Sequence, residues 1–129
     1  HLGSGDGLTV DEFHQRYPVA GEWTIDTRAV PDGETYREMG ERVAAGLDAL
    51  LDRHEGGTVV VACHGGVIVH SMLRWLRLDA PGRDRAWFNV VNASMTVWRR
   101  AESIYDRRSL PIELVTFNDQ SHLERVDAS

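Results

Sequence analysis

The chain contains no lysine: its 14 basic residues are all arginine. Every side-chain cation other than a protonated histidine is therefore a planar, fork-shaped guanidinium. A single cysteine, Cys63, excludes an internal disulfide and is compatible with a reducing compartment. No basic cluster interrupts an acidic balance of -6, with a pI near 5.4. That balance argues against a nucleic-acid surface and requires any phosphate site to be locally basic. The longest apolar run, residues 59–69, is broken by His64 and two glycines and is too short to cross a bilayer. Neither a signal peptide nor a membrane span is expected, and the cytoplasm is the expected compartment. Repeats, low-complexity tracts and a linker to a second domain are also missing. What remains is a globular composition, 42% hydrophobic and 26% charged, over 129 residues that fit at most one domain.

The most informative stretch is Thr58-Val59-Val60-Val61-Ala62-Cys63-His64-Gly65-Gly66-Val67-Ile68-Val69. Residues 59–61 form an apolar block without alternation, the pattern of a strand buried on both faces of a largely parallel sheet. His64 would stand at the strand's carboxyl end, where open α/β sheets place their ligands. Gly65 and Gly66 lack a Cβ and let backbone N–H groups approach an anion closely. Val67, Ile68, Met72, Leu73 and Leu76 recur at helical spacing, so a helix over about 67–76 should aim its N-terminus at the same point. A positioned imidazole there can donate to a phosphoryl oxygen or move a proton.

Two capping boxes mark further helices. Thr9-Val10-Asp11-Glu12 opens a short one ending at Tyr17-Pro18, with Leu8 and Phe13 as a hydrophobic staple. Thr35-Tyr36-Arg37-Glu38 opens the longest, carrying an apolar stripe of Tyr36, Met39, Val43, Leu47, Leu50 and Leu51 to about His54, with Gly56-Gly57 as the stop. Between them residues 19–32 read as a loop anchored by Trp23. Residues 79–88 read as a charged connection with a Pro81-Gly82 turn. Residues 95–99 and 112–117 look like a hairpin or edge pair, and the tail after Asn118 is polar.

The residues resemble the histidine phosphatase superfamily, the phosphoglycerate mutase-like proteins, along nearly the whole chain. Gly7-Leu8-Thr9 with Tyr17-Pro18 is similar to that family's entry segment, and Gly33-Glu34-Thr35 to its helix start. Val61-Ala62-Cys63-His64-Gly65-Gly66 resembles its second-histidine motif. Asn92-Ala93-Ser94 with Asn118-Asp119-Gln120-Ser121-His122-Leu123 resembles its ending, and the pieces fall in the family's order. The resemblance implies a three-layer α/β/α fold with a mostly parallel sheet, incomplete at the N-terminus. It implies phosphoryl transfer through a phosphohistidine, without a metal or other cofactor. His64 would be the second, assisting histidine and Gly65 a backbone contact to phosphate. The family's nucleophile sits in an Arg-His-Gly motif, which occurs nowhere here. His1-Leu2-Gly3 looks like the segment just after the family's acid glutamate, so nucleophile and acid are expected upstream of residue 1. Gly5 stands where the family usually has tryptophan. A strand apolar on both faces independently requires flanking strands that these residues do not offer.

Other chemistries weigh less. Cys63 and His64, as strand neighbours, would point to opposite faces, which opposes a thiol nucleophile and a zinc site built with His70. Glu34 and Asp119 could be imagined as a general acid, but Glu34 precedes a helix N-terminus and Asp119 sits in turn company. His14, His54 and His122 read as surface or capping residues. Trp23 reads as packing, with a lid near a substrate entrance as the alternative. The expected function is phosphomonoester hydrolysis on a small phosphorylated metabolite, the 129 residues alone being inactive. Phosphoglycerate mutase activity and a degenerate, non-enzymatic binding module are the alternatives. Many relatives dimerise, and a homodimer stays open.

Overall fold

The computed structural model describes residues 3–18, 21–78, 88–100 and 112–124. A 3-10 turn at Gly3–Gly5 precedes α1 (Val10–Arg16), α2 (Tyr36–Arg53) and α3 (Gly65–Trp75); strands β1 (Met95–Arg100) and β2 (Ile112–Asp119) and a short α4 (Ser121–Glu124) complete the order. The expected Pro81-Gly82 turn and the end of the polar tail lie outside the described residues.

Both capping boxes form. Thr9 Oγ1 accepts from the Glu12 N–H at 3.3 Å while the Glu12 carboxylate accepts from the Thr9 N–H at 2.9 Å. Thr35 and Glu38 repeat the exchange at 3.1 and 2.8 Å. Each satisfies two backbone donors that a helix start otherwise leaves open, typically worth about 1 kcal/mol. Tyr17 and His54 close the two helices, their N–H groups bonding Phe13 and Leu50 carbonyls. Gly56 follows at φ 72°, the left-handed conformation that a glycine stop supplies.

The chain divides into two compact units: residues 1–62 with 70–87, and residues 63–69 with 88–129. In the first unit Val30, Val43 and Met72 are buried apolar positions. A polar stitch joins its early segments, because the Asp32 carboxylate accepts from the Ser4 N–H at 2.9 Å and the Ser4 hydroxyl at 2.7 Å, and that hydroxyl also meets Tyr17 Oη at 2.8 Å. These bonds hold the Asp32 carboxyl below its ordinary range. Gly5 is buried here, and a Cβ on it would lie 2.6 Å from the Phe13 ring and 3.1 Å from Val30. A side chain at position 5 would therefore require the Phe13 ring to move.

His70 is buried against α2. Its ring lies 4.5 Å from that of Tyr36, and a Cβ on Gly40 would come within 3.0 Å of it. Its Nε2 has no hydrogen-bond partner among the described residues. Burial lowers its pKa, the Arg42 charge adds to the effect, and the Glu34 carboxylate opposes it. An unfolded chain therefore takes up a proton near pH 6.5 that the folded one refuses. Stability should be complete above about pH 6.5 and fall as the pH drops below it toward the folded pKa. Unfolding midpoints of the wild type and His70→Phe across that range check this: the substitution should flatten the dependence.

Two glycines of α2 give a second comparison. Gly46 has nothing within 4 Å of an added Cβ, whereas Gly40 faces the His70 ring. Gly46→Ala should stabilise by about 0.5–1 kcal/mol through helix propensity. Gly40→Ala should forfeit that gain to crowding. Urea unfolding of the pair would show the difference.

In the second unit β1 and β2 pair antiparallel, as the hairpin expectation required. The parallel sheet is a different matter. Residues 58–64 adopt no strand, and the three valines expected to be buried are exposed, Val60 at 93%. The correction has a plain cause. A strand exists through hydrogen bonds to a neighbour, and among the described residues none lies alongside this segment. Among the described residues the sheet is two-stranded and antiparallel, and no parallel pairing occurs there.

Candidate functional site

His64 and the start of α3 belong to the second unit. The helix begins at Gly65, two residues earlier than its apolar spacing suggests, since periodicity marks only the buried face and glycines carry no such mark. The His64 carbonyl accepts the Val67 N–H at 2.9 Å, which places His64 at the cap of the helix. The N–H groups of Gly65 and Gly66 fall among the first of the helix, which have no intrahelical acceptor. No acidic residue stands in this first turn, so the positive end of the helix dipole is not cancelled locally. The His64 side chain is exposed. An imidazole and free backbone donors thus share one helix start, an arrangement suited to an anion.

The segment before β1 lies against this start. A Cβ on Gly65 would sit 3.4 Å from Val90 Cβ and 3.5 Å from its Cγ1. The Val91 N–H donates to Asn118 Oδ1 at 2.8 Å, and Gln120 Nε2 donates to the Asn92 carbonyl at 3.0 Å. The two motifs Asn92-Ala93-Ser94 and Asn118-Asp119-Gln120 are therefore in contact. The sequence gives no local signal of this contact, because the bonds span 27 and 28 residues.

The remaining candidates separate. Cys63 is exposed, and the desolvation it meets raises its thiol pKa, opposite to what a thiolate nucleophile needs. No group of three or more metal-ligating side chains occurs among the described residues. Glu34 pairs with Arg42 at 2.5 Å, and that guanidinium holds its carboxyl down at about 2. A group ionised that firmly has no proton to give near neutrality. Asp119 accepts from the Ser121 N–H at 2.9 Å and is likewise lowered, so its carboxylate is held in the turn between β2 and α4. His122 is exposed on α4. In the first unit Trp23 lines an open cleft of about 330 Å³ with Arg16, Tyr17, Pro18, Thr27, Arg28 and Ala29. Arg28 is committed to Glu38 and the Gly33 carbonyl, while Arg16 lies 5.8 Å over the Tyr17 ring. The cleft was not foreseen beyond Trp23, and its lining includes neither His64 nor Gly65.

A family model for the histidine phosphatase superfamily (branch 1) matches residues 1–108. The chain belongs to that superfamily, an α/β family of phosphatase- and mutase-like proteins. It is 30% identical to a phosphoglycerate mutase-like protein 4 of Arabidopsis thaliana over 98% of its own length and 52% of that protein's. It is 26% identical to a metal-independent phosphoserine phosphatase of the same plant, over 98% of this chain and 49% of the relative. A bifunctional protein of Mycobacterium tuberculosis is 37% identical across 61% of the chain and 22% of its own length. The chain spans about half the length of the two plant relatives. No solved structure gives a significant match.

Proposed function

We propose that these residues carry the assisting-histidine part of a phosphomonoester hydrolase acting on a small phosphorylated metabolite in the cytoplasm. The observation that carries the reading is the exposed His64 at the cap of α3, beside the leading N–H groups of Gly65 and Gly66. Family membership supplies the chemistry that this geometry suits. A nucleophilic histidine outside the 129 residues forms an N–P bond as the ester oxygen leaves with a proton from an acid. Water then attacks phosphorus, the N–P bond breaks and inorganic phosphate departs. His64 donates to a phosphoryl oxygen through both steps, and the Gly65 N–H contacts the same group. No metal takes part. The complete domain is read as a three-layer α/β/α fold in which residues 59–61 join a mostly parallel sheet. The 129 residues alone, having no Arg-His-Gly, are read as inactive.

The full-length protein decides this. Hydrolysis of p-nitrophenyl phosphate that withstands a chelator and passes through an acid-labile, base-stable phosphoenzyme supports the reading. Failure to trap a phosphoenzyme in an active preparation overturns it. Transfer of the phosphoryl group to a second substrate hydroxyl instead of water would point to the mutase alternative, which the name of the first plant relative favours. Phosphate binding without turnover would mark a non-enzymatic module.

A further inference from the structure

We propose that Asn118 is a positioning residue for the His64–Gly65 site, acting from a bulge in β2; the assignment rests on the reading of that site given above. In the β1–β2 ladder Met95 faces Asp119 and Val97 faces Thr116, so two steps on β1 match three on β2. The extra residue lies between Thr116 and Asp119. Asn118, within that interval, has φ 58°, a left-handed conformation that asparagine tolerates better than most residues with a Cβ. Bulges re-aim a side chain out of the regular alternation, and they recur beside functional sites.

The re-aimed carboxamide reaches the Val91 N–H at 2.8 Å, while the Asn118 N–H donates to Thr96 Oγ1 at 3.3 Å. Gln120 holds the carbonyl of Asn92 one residue further along. Residues 90–92 are thus clamped from β2 and the residue just after it, and Val90 stands beside Gly65 so closely that an added Cβ there would meet it at 3.4 Å. Through Val90 the clamp fixes the backbone at the cap of α3, and with it the direction in which His64 and the Gly65 N–H point. Asn118 touches no phosphate itself. Its effect is on aim, and a misplacement of about 1 Å can cost about 10²-fold in rate.

The test uses the full-length protein and four substitutions. Asn118→Gly removes the carboxamide and suits the left-handed backbone; Asn118→Asp keeps the acceptor oxygen. With p-nitrophenyl phosphate, Asn118→Gly should lose about 10²-fold in kcat with little change in KM, and Asn118→Asp should retain most of the activity. Vanadate should shift the Gly65 amide resonance in the wild type and in Asn118→Asp but not in Asn118→Gly. Wild-type kcat in Asn118→Gly, or an equal fall in Asn118→Asp, overturns the proposal. Should Asn118→Gly lose its fold, Gln120→Ala carries the test: a lower kcat at unchanged melting temperature supports the clamp, and unchanged kcat overturns it. His64→Ala, run alongside, separates the two levels. Full activity there removes the site itself, whereas an inactive His64→Ala beside a fully active Asn118→Gly removes only the clamp.

Discussion

Replacing His64 with alanine should lower the turnover of p-nitrophenyl phosphate by the full-length protein about 10²- to 10⁴-fold, the range for removing a positioned proton-transfer or hydrogen-bonding group. The same change should leave stability within about 0.5 kcal/mol, because the side chain is exposed and His64 bonds to α3 through its backbone carbonyl, which alanine keeps. The split between large kinetic loss and small thermal loss is the discriminating result. A residue placed for packing would show the reverse. Steady-state kinetics with a melting curve on the same preparation measure both, and retained turnover would remove His64 from the chemistry.

Met72→Ala should behave in the opposite way. Met72 on α3 is fully buried, at 0% exposure, and truncating a buried methionine typically costs about 2–5 kcal/mol through lost transfer energy and the cavity left behind. Leu76, on the same stretch of chain but 45% exposed, is the control: Leu76→Ala should cost less than half as much, since much of its side chain already meets water. Urea unfolding of the two variants gives the comparison directly. An equal loss at both positions would mean that the burial of α3 has been misjudged.

What the sequence made legible was local. Thr9 with Glu12 and Thr35 with Glu38 act across three residues, so the starts of α1 and α2 can be read from the letters alone. The apolar spacing from Val67 to Leu76 located α3, and the two short segments near the end paired as expected. Residues 59–61 carry the apolar content of a buried strand but form none among the described residues, because a strand depends on partners elsewhere in the chain. The site was half visible. The candidates His64 and Gly65 stand out by type and order, but the bonds behind them do not, since the one from Val91 to Asn118 bridges 27 residues and lies at a bulge. The Ser4–Asp32 stitch, across 28 residues, was hidden for the same reason. The close approach of Phe13 and Val30 to Gly5 was hidden as well, because a glycine reads only as freedom until its neighbours are known.

Val60 at 93% exposure, between two other bared valines, has a practical consequence at the bench. An exposed, uncharged valine segment is a surface against which a second copy can pair. Preparations of these 129 residues by themselves should accordingly scatter more light as they are concentrated and less as they are diluted.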